Sequence, residues 1–251
     1  MTKFLLTASL IALLFCSRSL GSTIKVAVID TGIDAASSHD LCTFGHKSFV
    51  NNSSPLKDTH GHGTHIAGLI SKYAGKGDWC MVAIKFYDPD ASSRANLESM
   101  RQSIQYAIDL KVDYINISGG GFQPNDGEKA LIIKALNKGI KVVVAAGNGD
   151  DNHVAVNLDK DCSYFPACYD KRILVVGNLK DTDSNPDFVT WSGEKLSRAP
   201  SSNYGSYVKR WEVGTNVEST LPGNRRGRMT GTSQATAIVT GKLLNKALQI
   251  Q

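Results

Sequence analysis

The sequence predicts an α/β fold built on a parallel sheet covered by helices. Three observations carry that expectation. Five short stretches, "IKVAVID" (Ile24–Asp30), "MVAIKFYD" (Met81–Asp88), "VDYINIS" (Val112–Ser118), "KVVVAAG" (Lys141–Gly147) and "ILVVGNL" (Ile173–Leu179), read as buried strands. Most are apolar on both faces, as a sheet covered on both sides requires. Helical patterns lie between them: "ANLESMRQSIQYAIDL" places Leu97, Met100, Ile104, Ala107 and Ile108 on one stripe, and "GEKALIIKALNKG" repeats the pattern and stops at Gly139. Strand and helix alternate, which implies parallel strands joined by right-handed crossovers.

Taken in order, the chain begins with Lys3, an uncharged apolar run "FLLTASLIALLFC", and then "SRSLGS". A basic start, a short apolar core and small residues at Ser19 and Gly21 read as a secretory signal peptide over residues 1–21. The run is short for a membrane span. Bulky Phe15 argues against a lipid anchor on Cys16. Residues 22–251 then form one domain, a length suited to a single α/β unit. Loss of Lys3 and Arg18 with the leader lowers the net charge from +5 to +3. That mild excess argues against a nucleic-acid groove or an anionic membrane partner. No second long apolar run follows, so a soluble protein is expected.

Four cysteines remain after the leader: Cys42, Cys80, Cys162 and Cys168. An even count in an exported chain suggests two disulfides, with three connectivities open. Cys162 and Cys168 flank one turn and are expected to pair, which leaves Cys42 with Cys80. Beyond Leu179 the pattern becomes strand-like, with turns at "DTDSNPD", "SSNYG" and "LPGN". A last, short helix is expected to start near Ser233.

In an open parallel sheet, ligands bind beyond the carboxyl ends of the strands. Asp30 ends the first strand, Ser118 the third, and Asn148 follows the fourth between two glycines. Asp30 alone reads as a turn residue. The run "THGHGTHIAGLI" carries His60, His62 and His65. A zinc site needs three or four converging ligands; the run lacks a nearby acid or thiolate, and its glycines suit a tight turn entering a helix. Ser233, in "MTGTSQATAIV", reads on its own first as a helix cap, with a nucleophile presented at a helix start as the less common alternative. Each signal is modest alone, but together they run Asp, His, Asn, Ser, which matches the known serine-protease order Asp…His…Ser.

The blocks "VIDTGID", "HGHGTHIAG", "NISGGG", "VVVAAGN", "YFPACYD" and "GTSQATA" resemble, in order, those of the subtilisin-like serine proteases, from about Thr23 to the C-terminus. The resemblance implies a three-layer sandwich around a mainly parallel sheet of about seven strands. It implies a serine endopeptidase acting through an acyl-enzyme, with Asp30, His62 and Ser233 as the triad and Asn148 in the oxyanion hole. Ser118, Gly119 and Gly120 would form the edge where a peptide or protein substrate adds as a strand. Tyr164 stands where many members carry Gly at the floor of the specificity pocket, which would favour small or medium side chains. Gln234 replaces the usual Met and Ala237 the usual Pro. No cofactor is required. Calcium is a candidate ligand without an assigned site: the segment from His65 to Met81 is short for the common calcium loop, and Asp150, Asp151, Asp159 and Asp161 read as a solvated acidic loop. Arg225, Arg226 and Arg228 read as a charged loop tip. The resemblance leaves no room for a prodomain after Gly21, and a secreted monomer is expected. Two rivals stand beside this reading: a binding protein on the same fold that has lost activity, and a zinc hydrolase built on His60, His62 and His65.

Overall fold

The computed structural model describes residues 23–38, 40–160, 162–181, 188–189 and 194–249. The predicted leader, residues 1–21, lies outside them, as does Asp161. In chain order the elements are β1 (Ile24–Asp30), a 3₁₀ turn (Ala35–Ser37), β2 (Lys47–Ser48), α1 (His62–Ala74), β3 (Trp79–Lys85), α2 (Ser93–Asp109), β4 (Tyr114–Ile117), α3 (Asp126–Asn137) and β5 (Lys141–Ala145). There follow β6 (Leu174–Asp181), β7 (Phe188–Val189), β8 (Lys195–Arg198), β9 (Val208–Val213), β10 (Val217–Leu221), β11 (Arg225–Met229) and α4 (Thr232–Leu248).

The main sheet runs β2-β3-β1-β4-β5-β6-β8-β7, with β9 also paired to β6. The pairings from β2 through β6 and on to β9 are all parallel. β7 and β8 add an antiparallel edge. β10 and β11 make a separate antiparallel hairpin.

The two-residue alternation of β1 shows why the fold has three layers. Ile24, Val26 and Val28 pack in one core with Ile66, Leu69 and Ile70 of α1 and Ile238 and Leu244 of α4. Ala27 and Ile29, from the same strand, pack in the other core with Met100 and Ile104 of α2 and Ile132 of α3. Burial on both faces accounts for the continuous apolar runs. The last helix is longer than expected: α4 spans 17 residues. Gly241 lies against the backbone of α1, where a Cβ would collide with the Ile70 carbonyl; that close approach lets α4 continue across α1.

Cys42 is joined to Cys80, and Cys162 to Cys168. The first bond ties the loop after β1 to β3, where Leu41 already bridges Met81. Site-bearing loops leave the carboxyl ends of β1, β4 and β5, the side where a parallel sheet presents ligands.

Candidate active site

Asp30, the last residue of β1, is 4% exposed. Its Oδ1 accepts the Thr31 backbone N–H at 2.7 Å and lies 2.8 Å from His62 Nδ1. A carboxylate here fixes the imidazole with its proton on Nδ1 and Nε2 free to accept. His62 is the first residue of α1, and its position depends on Asp58. One Asp58 oxygen accepts from the Thr31 hydroxyl and from the backbone N–H groups of His60 and Gly61. The other accepts the Thr64 backbone N–H and hydroxyl. The Thr31 hydroxyl oxygen also takes the Gly63 N–H at 2.9 Å. Asp58 therefore does for α1 what a capping side chain does, since Gly61 at the cap position has none. Gly63 sits so close to the Gly32 carbonyl that a side chain would collide with it.

Burial by itself would lower the His62 pKa. The charge of Asp30, its hydrogen bond and the more distant charge of Asp58 outweigh that effect, and the net shift is upward.

Ser233 is the second residue of α4 and is 9% exposed. It does not cap its helix: Gly231 holds the cap position, with no side-chain cap bond. The Ser233 hydroxyl donates to the Ser118 carbonyl at 2.7 Å. Asn148 Oδ1 accepts both the backbone N–H and the hydroxyl of Thr232, at 2.9 and 3.0 Å. The backbone donor settles the amide orientation, because only the oxygen accepts. Asn148 Nδ2 is thereby left as a donor beside the first turn of α4. A polar chain runs beneath: Thr240 donates to Asn116, Asn116 to the Ser118 hydroxyl, and Ser118 to the Ser233 carbonyl. Neither Asp58 nor Asn116 stood out in the sequence. Asp58 had a visible signal, an acid four residues ahead of a helix-opening His.

Gly119 has open space where a side chain would project, whereas Gly120 abuts Tyr164 and the Phe165 carbonyl. The Tyr164 ring lies against both Gly120 and Gly147, and packs edge-on to Phe122 with centroids 5.5 Å apart. It thus fills space between the ends of β4 and β5 rather than turning to the outer surface. Burial pushes its phenol pKa up to about 12. A cleft of about 810 Å³ opens beside Asp30, His62 and Ser118 and continues past Gly119–Gly121 to Phe122 and Glu128.

Asp58 corrects one expectation: an acid does accompany the three histidines, but protein donors occupy both of its oxygens. His65 is buried with its Nε2 3.2 Å from the Gly227 carbonyl, so it serves the contact between α1 and β11. The Asp159 carboxylate accepts the Ser206 backbone N–H and hydroxyl. Asp150 accepts two N–H groups of its own loop. Gln234 is buried, and Ala237 is packed in the core against α1.

A sequence model of the Subtilase family matches residues 21–246. Subtilisin from Bacillus pumilus is 34% identical over 230 residues, covering 88% of this chain and 75% of that protein. Subtilisin amylosacchariticus from Bacillus subtilis subsp. amylosacchariticus is also 34% identical over 230 residues and 88% of this chain. There the match spans about half of the relative's length, 54%. Among solved structures, a cold-adapted subtilisin-like serine proteinase superposes with a TM-score of 0.69 at 24% identity, over 92% of this chain and 77% of that one. The chain belongs to the subtilase family.

Proposed function

We propose that the chain is a secreted serine endopeptidase that cleaves peptide bonds through an acyl-enzyme. The observation that carries the reading is the 2.8 Å contact between His62 Nδ1 and Asp30, in a cleft also lined by Ser118, whose carbonyl accepts the hydroxyl of Ser233 in the first turn of α4. Ser233 Oγ leaves the Ser118 carbonyl, gives its proton to His62 Nε2 and attacks the substrate carbonyl carbon. Asp30 holds the imidazole and stabilises its charged form. The developing oxyanion takes two donors. One is Asn148 Nδ2. The other is the Ser233 N–H, which as a first-turn amide has no partner within the helix. His62 then returns the proton to the leaving amine, and water cleaves the acyl-enzyme by the same route in reverse.

The substrate adds as a strand along Ser118, Gly119 and Gly120. The Tyr164 ring shortens the pocket for the side chain before the scissile bond and favours small or medium residues. Secretion rests on the N-terminal run and the four paired cysteines. The protein acts as a monomer and needs no resident cofactor.

Labelling with a fluorophosphonate probe tests this reading. Wild type is expected to form one covalent adduct on Ser233, insensitive to chelators, and to cut peptide amides. An intact fold with neither labelling nor cleavage would favour the inactive binding protein. Loss of cleavage on chelation would favour the metal hydrolase.

A further inference from the structure

The cleft beside the triad ends at a buried carboxyl that the chemistry above leaves unused. Glu128 sits in the first turn of α3, is 4% exposed, and lines the cleft opposite Leu97 and Met100 of α2. Its backbone N–H bonds the Asn125 side chain at 2.9 Å, so the helix is already capped. In a capping box the Glu would reach back to the Asn125 N–H. Here the Tyr169 hydroxyl accepts that N–H at 2.8 Å and donates to Glu128 Oε2 at 2.7 Å. The tyrosine thus turns the carboxyl into a held group whose Oε1 has no hydrogen-bond partner among the described residues. Burial shifts the carboxyl pKa upward, which marks an acid lacking a counter-ion. Arg94 lines the same cleft but is exposed, and no ion pair joins it to Glu128 among the described residues.

The geometry points to Glu128 as a specificity-determining residue that receives a cationic side chain, lysine or arginine, from the substrate upstream of the scissile bond. The inference rests on the peptidase reading. A peptide paired antiparallel to Ser118–Gly120 carries its upstream residues away from Ser233, past Gly121, whose own N–H and carbonyl pair with Phe165, toward Phe122 and Glu128. At about 3.3 Å per residue, the three steps from Ser118 to Gly121 bring a side chain about three residues before the attacked carbonyl to the end of the cleft. The apolar walls hold the methylene stem, and Glu128 takes the charged tip in a charge-assisted hydrogen bond.

The test is a peptide series with lysine, norleucine or glutamate placed in turn at each of four positions before the cleaved bond. It compares wild type, Glu128→Gln and Glu128→Leu. The ratio of kcat/KM between lysine and norleucine peptides is taken within each protein, so differing amounts of folded protein cancel. In wild type, lysine is expected to exceed norleucine by about tenfold at one upstream position, as a single charge-assisted bond would give. The advantage disappears in Glu128→Gln and reverses in Glu128→Leu. Equal ratios in all three proteins, no lysine advantage in wild type, or a preference for glutamate governed by Arg94 would each overturn the assignment. Binding of the same peptides to the Ser233→Ala chain, read by fluorescence anisotropy, separates the two layers. A chain that binds lysine peptides more tightly yet cuts none in the wild-type form keeps Glu128 and loses the hydrolase. A chain that cuts well without lysine preference does the opposite.

Discussion

His62 opens α1 and Ser233 sits in the first turn of α4, yet the two helix ends are held in different ways. The α1 end is fixed from several directions: Asp58 accepts five hydrogen bonds around it, Thr31 takes the Gly63 N–H, and Asp30 holds the imidazole. At the α4 end the backbone is held by Asn148 and Ser118, while the side chain of Ser233, the proposed nucleophile, has one bond, to the Ser118 carbonyl. A base must keep one tautomer and one direction through the cycle. A nucleophile must move, from a resting acceptor to the imidazole and then to carbon. The difference matches the two tasks, because a hydroxyl needs only a rotation about one bond to change partners.

The largest break in the comparison removes the mobile partner. Ser233→Ala should lower kcat by about 10⁶, the magnitude established for the equivalent loss in subtilisin. The fold should survive, since a single side-chain hydroxyl bond is lost, about 0.5–1.5 kcal/mol. Peptide hydrolysis near the wild-type rate would refute the serine mechanism. Asn148 comes next. Asn148→Ala should cost about 10²–10³ in kcat, again the subtilisin value. Asn148→Asp sharpens the test: it keeps an acceptor for Thr232 but loses the Nδ2 donor. A similar loss of kcat in both variants assigns the effect to the donor. If Asn148→Asp turned over like wild type, the oxyanion role would fall.

The rigid end has its own break. Asp58→Ala leaves several buried donors without an acceptor, and each such group costs about 1–3 kcal/mol. A stability loss of about 3 kcal/mol is expected from urea unfolding, together with lower kcat as His62 loses its anchor. A loss below about 0.5 kcal/mol, ordinary for a surface change, would show that Asp58 is not what holds α1.

These two ends also differ in how plainly they could be read from the residues. Asp30, His62, Asn148 and Ser233 stand at strand ends and helix starts, in an order that itself carries information. β1 was legible because burial on both faces makes Val26–Ile29 a continuous apolar run, closed by Asp30. Asp58 was not, because a turn acid and a five-bond anchor look identical until the donors from Thr31 and Thr64 are brought to it. Glu128 carries no mark in the sequence for the same reason: only the fold sets Tyr169 against it. The strands after β6 are short or half-exposed, so their patterns mark strand-like character without bounds. α4 looked short because Thr240 and Gly241 interrupt its pattern. Both are buried contacts, one with Asn116 and one with the α1 backbone.

The smallest expected effect concerns the charge of the rigid end. Burial opposes protonation of His62, but Asp30 and, further off, Asp58 raise its pKa above the ordinary histidine value. In the proposed mechanism His62 must be neutral to accept the serine proton. The acidic limb of kcat/KM against pH, which reports the free enzyme, should therefore lie above about 6.5. Asp30→Asn removes both the nearer charge and the charged hydrogen bond, so the limb of its residual activity should fall. Asp58→Asn removes the more distant charge, together with the acceptor for one set of its donors, and should lower the limb by less. The same shift bears on stability. Protonated His62 is favoured in the folded chain, so its contribution is fully present below the unfolded value of about 6.5. That contribution is lost as pH rises through the higher folded value. The gap in Tm between wild type and His62→Ala should accordingly narrow as pH rises across the limb. A wild-type limb at or below about 6.5, or a gap in Tm that widens with pH, would mean that burial outweighs the two carboxylates. The paired end would then be holding a neutral imidazole by geometry alone.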